Sequence, residues 1–317
     1  MEIVRLLLKN GAEVNAAGGR YGSALQAASS ESNMEIVRLL LENGADVDAA
    51  GGRYGSALQA ASFRSNMDIF RLLIEYGAEI DATSGIYGSA LIQVASHWGD
   101  IEFVRLLIEH GAEVNTAGGE YGIALQAASL SGNAEIVELL LEHGAEVNAA
   151  GREYGNALQA ASLRGNLDIV QLLLENGAEV NAAGERYDSA LQTASASGCV
   201  AVVCLLLEKG ADVDAFGGSA LKAAARLGRL HPNNLWEAEQ IIRILLENGA
   251  HEEDMTDYGS EEDVDTDDED MTYGSEEDVD AHSSSLDSWS NAAFVSDNED
   301  AMLNLYSDDG FSSESDD

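Results

Sequence analysis

Cys199 and Cys204 are the only thiols in the 317-residue chain, and they stand five positions apart. Two sulfur ligands cannot close a tetrahedral zinc site, and on a helix an i, i+5 pair points in different directions. Reduced thiols in a cytoplasmic or nuclear protein are the expectation. His97, beside Trp98, has no Cys, His or carboxylate recurring with it at ligand spacing, which argues against metal or acid–base chemistry. His110 and His143 take the position held elsewhere by Asn43 and Asn176, just before a Gly-Ala pair. A partial positive charge suits such a helix C-terminus, and no chemistry follows from it. The chain has no Gly-x-x-x-x-Gly-Lys phosphate loop and no nucleophile with a base at motif spacing. Neither catalysis nor a bound cofactor or metal is expected.

Charge narrows the partners. The formal net charge is -41. Residues 251–317 hold 25 Asp and Glu and no Lys or Arg, so the remaining 32 acids and all 16 bases lie in residues 1–250. Phosphate binding needs clustered Lys and Arg, which makes nucleic acid an ill-suited partner. A basic protein surface is the better electrostatic match for the chain as a whole. No run approaches the ~18 apolar residues of a membrane span. The stretch Ile3-Val4-Arg5-Leu6-Leu7-Leu8 is interrupted by Arg5 and matches internal segments, so it does not read as a signal peptide.

Self-similarity dominates the rest of the chain. A Gly-Ala pair stands at Gly11, Gly44, Gly77, Gly111, Gly144, Gly177, Gly210 and Gly249, at intervals of 33, 33, 34, 33, 33, 33 and 39 residues. A second phrase, in its fullest form Tyr-Gly-Ser-Ala-Leu-Gln-Ala-Ala-Ser, begins in step at Tyr21, Tyr54, Tyr87, Tyr121, Tyr154 and Tyr187. A period of this length means a solenoid, in which each unit buries its apolar face against its neighbours. Within one unit, Gly51-Gly52-Arg53-Tyr54-Gly55 reads as a hairpin-like loop, since glycine permits the positive φ of tight turns. Ser56 to Ser62 reads as a short helix whose small alanines let a neighbour approach. Asn66 is placed as the N-cap of a second helix, with Asp68 in its first turn and Ile69, Leu72, Leu73 and Tyr76 at helical spacing. Gly77 supplies the left-handed residue that ends it. Isolated helices shorter than ~12–15 residues are marginal in water, so the units must stack.

Hairpin, short helix, turn and longer helix together resemble the ankyrin repeat. Ser23-Ala24-Leu25-Gln26 and its copies stand where that family has Thr-Pro-Leu-His, and Ile-Val-x-Leu-Leu-Leu-x-x-Gly-Ala-x-Val-Asn recurs intact at residues 136–148. The Tyr-Gly-x-Ala-Leu-Gln variant resembles arrays of fungal ankyrin proteins, some attached to NACHT-type domains. The resemblance implies an all-α ankyrin solenoid over residues 1–250, with a half repeat at 1–22 and full repeats over about 23–250. It also implies that Ser and Gln brace each unit in place of Thr and His.

Three departures from the period carry expectations. Met1-Glu-Ile-Val-Arg-Leu-Leu-Leu aligns with Met34-Glu-Ile-Val-Arg-Leu-Leu-Leu, so the chain starts on a second helix, and Ile3, Val4 and Leu7 should lack part of their cover. Met1 is accordingly expected to be an internal methionine of a longer polypeptide or gene, or of a recently truncated one. An extra residue within positions 90–96 reads either as a bulge in that short helix or as neutral drift. The last unit loses three hairpin residues and gains about nine around Pro232, with Lys222, Arg226 and Arg229 as a basic stripe on a capping repeat. Residues 251–317 are acidic, low in complexity and partly duplicated, and are expected to form a disordered tail.

Function is expected in positions that differ between copies, since shared positions serve every unit. The resemblance implies that hairpin tips and first helices line the concave face. At the tips the variable positions are Arg20, Arg53, Ile86, Glu120, Glu153 and Arg186. At the ends of the first helices they are Phe63, Arg64, His97, Trp98, Leu130, Leu163 and Arg164. Trp98, flanked by Phe63 and Leu130, is the natural centre of a hot spot. The expected function is a non-enzymatic, monomeric scaffold that binds a protein partner. A sensing fragment of a NACHT-type signalling protein and an acidic-tail regulator of transcription are the alternatives.

Overall fold

A computed structural model describes residues 1–251 other than 86, 98–99, 120, 151–153 and 185–188, and of His97 the backbone only. Beyond residue 251, the disordered-tail expectation falls outside the described residues. The described chain is all-α. An unpaired second helix, α1 (Glu2–Lys9), is followed by seven helix pairs. These are α2 (Ala24–Ser30) with α3 (Met34–Glu42), α4 (Ala57–Phe63) with α5 (Met67–Glu75), and α6 (Ala90–His97) with α7 (Ile101–Glu109). Next come α8 (Ala124–Ser131) with α9 (Ala134–Glu142), α10 (Ala157–Arg164) with α11 (Leu167–Glu175), and α12 (Ala190–Ala196) with α13 (Val200–Glu208). The last pair is α14 (Ala215–Leu230) and α15 (Leu235–Glu247), joined through a 3₁₀ turn at Pro232–Asn234.

Local chemistry sets the helix ends. Ser56 and Asn66 cap α4 and α5, each side-chain oxygen accepting the N–H three residues on. The second helices end on a left-handed glycine: at Gly44 (φ 82) the N–H donates to Leu41 O, and Ala45 N–H donates to Leu40 O, both at 3.0 Å. That pairing satisfies carbonyls that would otherwise be orphaned. Asn43 adds a bond from its side-chain amide to Leu39 O, and His110 and His143 do the same through Nδ1, donating to Leu106 O and Leu139 O at 2.8 Å. Both histidines are thus helix-end braces.

The core is one continuous cluster running from Leu25 to Ala250. First helices pack on one another more closely than second helices do, because fully buried alanines such as Ala57, Ala61 and Ala128 let their backbones approach. Second helices contribute the larger side chains, among them Val37, Leu73, Leu107 and Leu140. Each such fully buried side chain contributes roughly 1.5–3 kcal/mol relative to exposure. In α1, Ile3 and Leu7 are 74% and 55% exposed, while Val4 packs on the core.

Two of the irregularities are accommodated locally. The extra residue in the third full unit makes no bulge: α6 runs unbroken for eight residues, and the insertion instead shifts Gln93 one place along the helix. In the last unit the shortened hairpin is replaced by three successive left-handed residues, Phe216, Gly217 and Gly218, ahead of the regular part of α14. Two glycines and one exposed aromatic make that compressed turn possible, since consecutive positive φ values are costly for residues with a Cβ. The Pro232 turn and the second helix ending at Asn248 follow the expected order.

Candidate partner-binding face

Glutamine positions the hairpins. In α2 the Gln26 side-chain oxygen accepts the Ser23 N–H, closing a capping box. Its amide nitrogen lies within hydrogen-bond distance of three carbonyls of the next unit's hairpin: Ala49 O (3.1 Å), Gly51 O (2.9 Å) and Gly55 O (2.8 Å). Gln59 repeats the set with Ala82 O, Ser84 O and Gly88 O, and Gln126 reaches Ala149 O. A fully buried amide so placed serves polar backbone that the stack would otherwise leave without partners. The expected substitution of the family's Thr/His network by Ser and Gln is thus realised, and it reaches across units.

The third unit is the exception. Ile92 occupies the place of Gln59, and Gln93, one residue on, donates to Gly88 O of its own hairpin at 3.1 Å. Its buried side-chain oxygen has no partner. The junction to the following hairpin therefore lacks the glutamine strap.

A second ladder runs through the loops that enter the hairpins. Asn15, Asp48, Asp81, Asn115, Asn148 and Asn181 each accept a backbone N–H from the next unit, as in Asp48 Oδ1 with Glu79 N at 2.8 Å. The asparagines also donate to a glycine carbonyl, as Asn148 does to Gly177 O at 3.0 Å. The recurrence of Asn or Asp after Val or Ile at this register was the sign of that role.

Strapped hairpins stack the tyrosines. Tyr21, Tyr54 and Tyr87 form a ladder with ring centroids 6.2 and 6.1 Å apart, and Tyr121 and Tyr154 form a second pair at 6.1 Å. Phe63 sits between Tyr54 and Tyr87 at 5.1 and 4.9 Å. The Arg53 guanidinium lies 5.6 Å from the Tyr54 ring and 5.5 Å from the Tyr87 ring, and it donates to the Tyr87 hydroxyl. Tyr54 is only 3% exposed. Burial raises its phenol pKa, while the charges of Arg64 and Arg53 act in the opposite sense. These tyrosines belong to the repeating phrase, so a search confined to variable positions passes over them.

The variable positions separate accordingly. Arg20 and Arg64 are exposed, and Arg53 and Phe63 are half-buried in the ladder. Leu163 is half-buried and Arg164 exposed at the end of α10. Leu130, expected on the surface, is instead 6% exposed, because the last turn of α8 carries it into the stack, and it offers a partner little to touch. Ile86, Trp98, Glu120, Glu153 and Arg186 lie outside the described residues, as does the His97 side chain, so the proposed hot spot at Trp98 has no geometry here.

Cys199 and Cys204 are free thiols, and the described residues hold no cluster of three or more metal-type ligands. Cys199 stands at the N-cap of α13 where other units have Asn or Asp, and makes no side-chain cap. Burial pushes its thiol from 9.0 up to about 11, and Cys204 is raised by burial and by Glu208. At pH 8 the folded protein should carbamidomethylate Cys199 about a hundredfold more slowly than the urea-unfolded chain. Peptide mass spectrometry reads this, and equal rates would show the thiol to be accessible and ionised. The sign of the linkage follows: the fold keeps a proton that the unfolded chain loses. The contribution to stability is present below pH 9.0 and is lost as pH rises toward about 11.

No helix of the described residues is long and apolar enough to cross a membrane. No curated protein matches the chain. A family model of ankyrin repeats, three copies long, matches residues 1–84, 58–151, 91–184 and 158–256. With paired helices, strapped hairpins and that run of matches, the chain belongs to the ankyrin-repeat family.

Proposed function

We propose that the protein is an interaction module that holds a protein partner on the face built by its hairpins and first helices. Ankyrin repeats are interaction domains, typically non-enzymatic. The observation that carries the choice of face is the pairing of a rigid backbone with variable side chains. Gln26 and Gln59 fix hairpin carbonyls across units, while the tips and helix ends, Arg20, Arg64 and Arg164 among them, project exposed side chains that differ from copy to copy. A preorganised surface of that kind lowers the ordering cost of association. The outer helices present mostly exposed acids, such as Glu35, Glu138 and Asp168.

Affinity capture with two charge-reversed variants tests the reading. Arg20→Glu with Arg164→Glu alters the proposed face, and Glu35→Lys with Glu138→Lys alters the outer helices. The first should lose the partners held by the wild-type chain and the second should keep them. The opposite pattern would place binding on the outer helices.

A further inference from the structure

Charge is segregated between the two faces of the array. The sequence segments 16–33, 49–66, 82–100, 116–133, 149–166, 182–199 and 215–234 run from each hairpin through its first helix to the next N-cap. They carry nine Lys and Arg against six Asp and Glu. The rest of residues 1–250 carries seven bases against 26 acids. In a chain of net charge -41 these segments thus carry a net positive charge. Beyond a screening length of ~8 Å at physiological ionic strength, the acids of the outer face count for little there.

Three of these cations, Arg20, Arg53 and Arg64, belong to the first two hairpins and the helix that follows them. The Arg53 N–H donates to Arg20 O at 3.0 Å, which ties the two tips together. The Arg53 guanidinium is held between two tyrosine rings, and Arg64, at the end of α4, also acts electrostatically on the Tyr54 hydroxyl. Among the described residues no hydrogen bond or ion pair engages the Arg20 or Arg64 side chain, and both are exposed. Among the described residues Glu31 accepts from the Tyr21 hydroxyl at 3.4 Å. Guanidiniums match carboxylates with paired, charge-assisted bonds. The ladder step of 6.1–6.2 Å is close to the ~6.6 Å between alternate side chains of an extended chain.

We infer that this N-terminal arginine–tyrosine site takes an extended, Asp- or Glu-rich segment of the partner protein, with acids at alternate positions. The inference rests on the interaction-module reading and names the chemistry of its partner. Arg20 and Arg64 bind carboxylates, and Arg53 is preoriented by the rings.

Fluorescence anisotropy with the full chain at 150 mM salt tests it, using a labelled ten-residue peptide of alternating Glu and Ser. The Glu peptide should bind, and its Gln counterpart should bind at least tenfold more weakly. Arg20→Glu with Arg64→Glu should weaken the Glu peptide at least tenfold, with the circular dichroism and unfolding midpoint unchanged. Lys222→Glu with Arg229→Glu, at the far end of the array, should leave the affinity within twofold. No binding of the Glu peptide up to millimolar concentration, equal binding of the Gln peptide, or an unaffected double variant would overturn the assignment. If the peptide fails while the hairpin-face variant still loses its captured partner, the interaction-module reading stands and the acidic-segment assignment falls.

Discussion

Replacing Gln59 with alanine is expected to lower the unfolding free energy by about 3 kcal/mol, whereas Gln93→Ala should cost less than about 1 kcal/mol. Both glutamines are buried and sit in equivalent short helices, so composition and burial alone would forecast equal losses. Their bonding differs. Gln59 serves Ala82 O, Ser84 O and Gly88 O in the next hairpin, and its loss leaves buried carbonyls short of a donor. Gln93 donates only to Gly88 O, which Gln59 also serves, and leaves its own oxygen unpaired. Removing a group that is already half-satisfied relieves part of its desolvation penalty. Urea denaturation of the two variants decides the matter. Because an array can unfold unit by unit, the comparison should use the whole transition and not a single midpoint. Equal losses would mean that the cross-unit strap contributes nothing beyond burial.

Phe103→Ala should be costlier still, at about 4 kcal/mol, since it opens a large cavity in a layer that packs densely. Phe103 in α7 meets Phe70 in α5 edge to face, with ring centroids 4.7 Å apart, and both rings are fully buried. Elsewhere the second helices use Ile and Val at these places, as at Ile36, Val37, Ile136 and Val137. The aromatic pair joins the outer layer of units two and three, next to the junction where the glutamine strap is missing. A double-mutant cycle with Phe70→Ala should return a coupling of about 1 kcal/mol, the usual size for an aromatic pair beyond its area. Additive losses would show that each ring packs independently.

The charge of the molecule illustrates how a whole-chain quantity misleads about a site. A net charge of -41 pointed to a basic partner. The inference drawn from the hairpin side points to an acidic one, because acids lie mainly on second helices and the loops that follow them. Long-range repulsion is screened over about 8 Å in physiological salt, but a carboxylate in contact with Arg20 or Arg64 feels those guanidiniums directly.

Much of the fold could be read in advance because the repeat states each unit several times over. Asn66 as N-cap, Gly77 as helix stop and the glycine-bounded hairpin follow from short-range stereochemistry, and all stand where the spacing put them. The candidate site was less legible. Variation between copies finds exposed residues such as Arg20 and Arg64, but it also selects Leu130, which the stack buries. It passes over Tyr21, Tyr54 and Tyr87, whose recurrence marks them as framework although they form the floor on which Arg53 lies.

By itself, the sequence determined the period, the order of hairpin and helices, the family and the absence of a zinc-type constellation in its cysteines. These depend on residue type at fixed spacing, which one strand of text records completely. Only the tertiary structure decided where the glutamine amides bond, that one inserted residue turns Gln93 back onto its own hairpin, and that Arg53 lies over a tyrosine ladder. The cross-unit outcomes depend on distances between residues about 23–34 positions apart, which arise only when one unit is laid against the next.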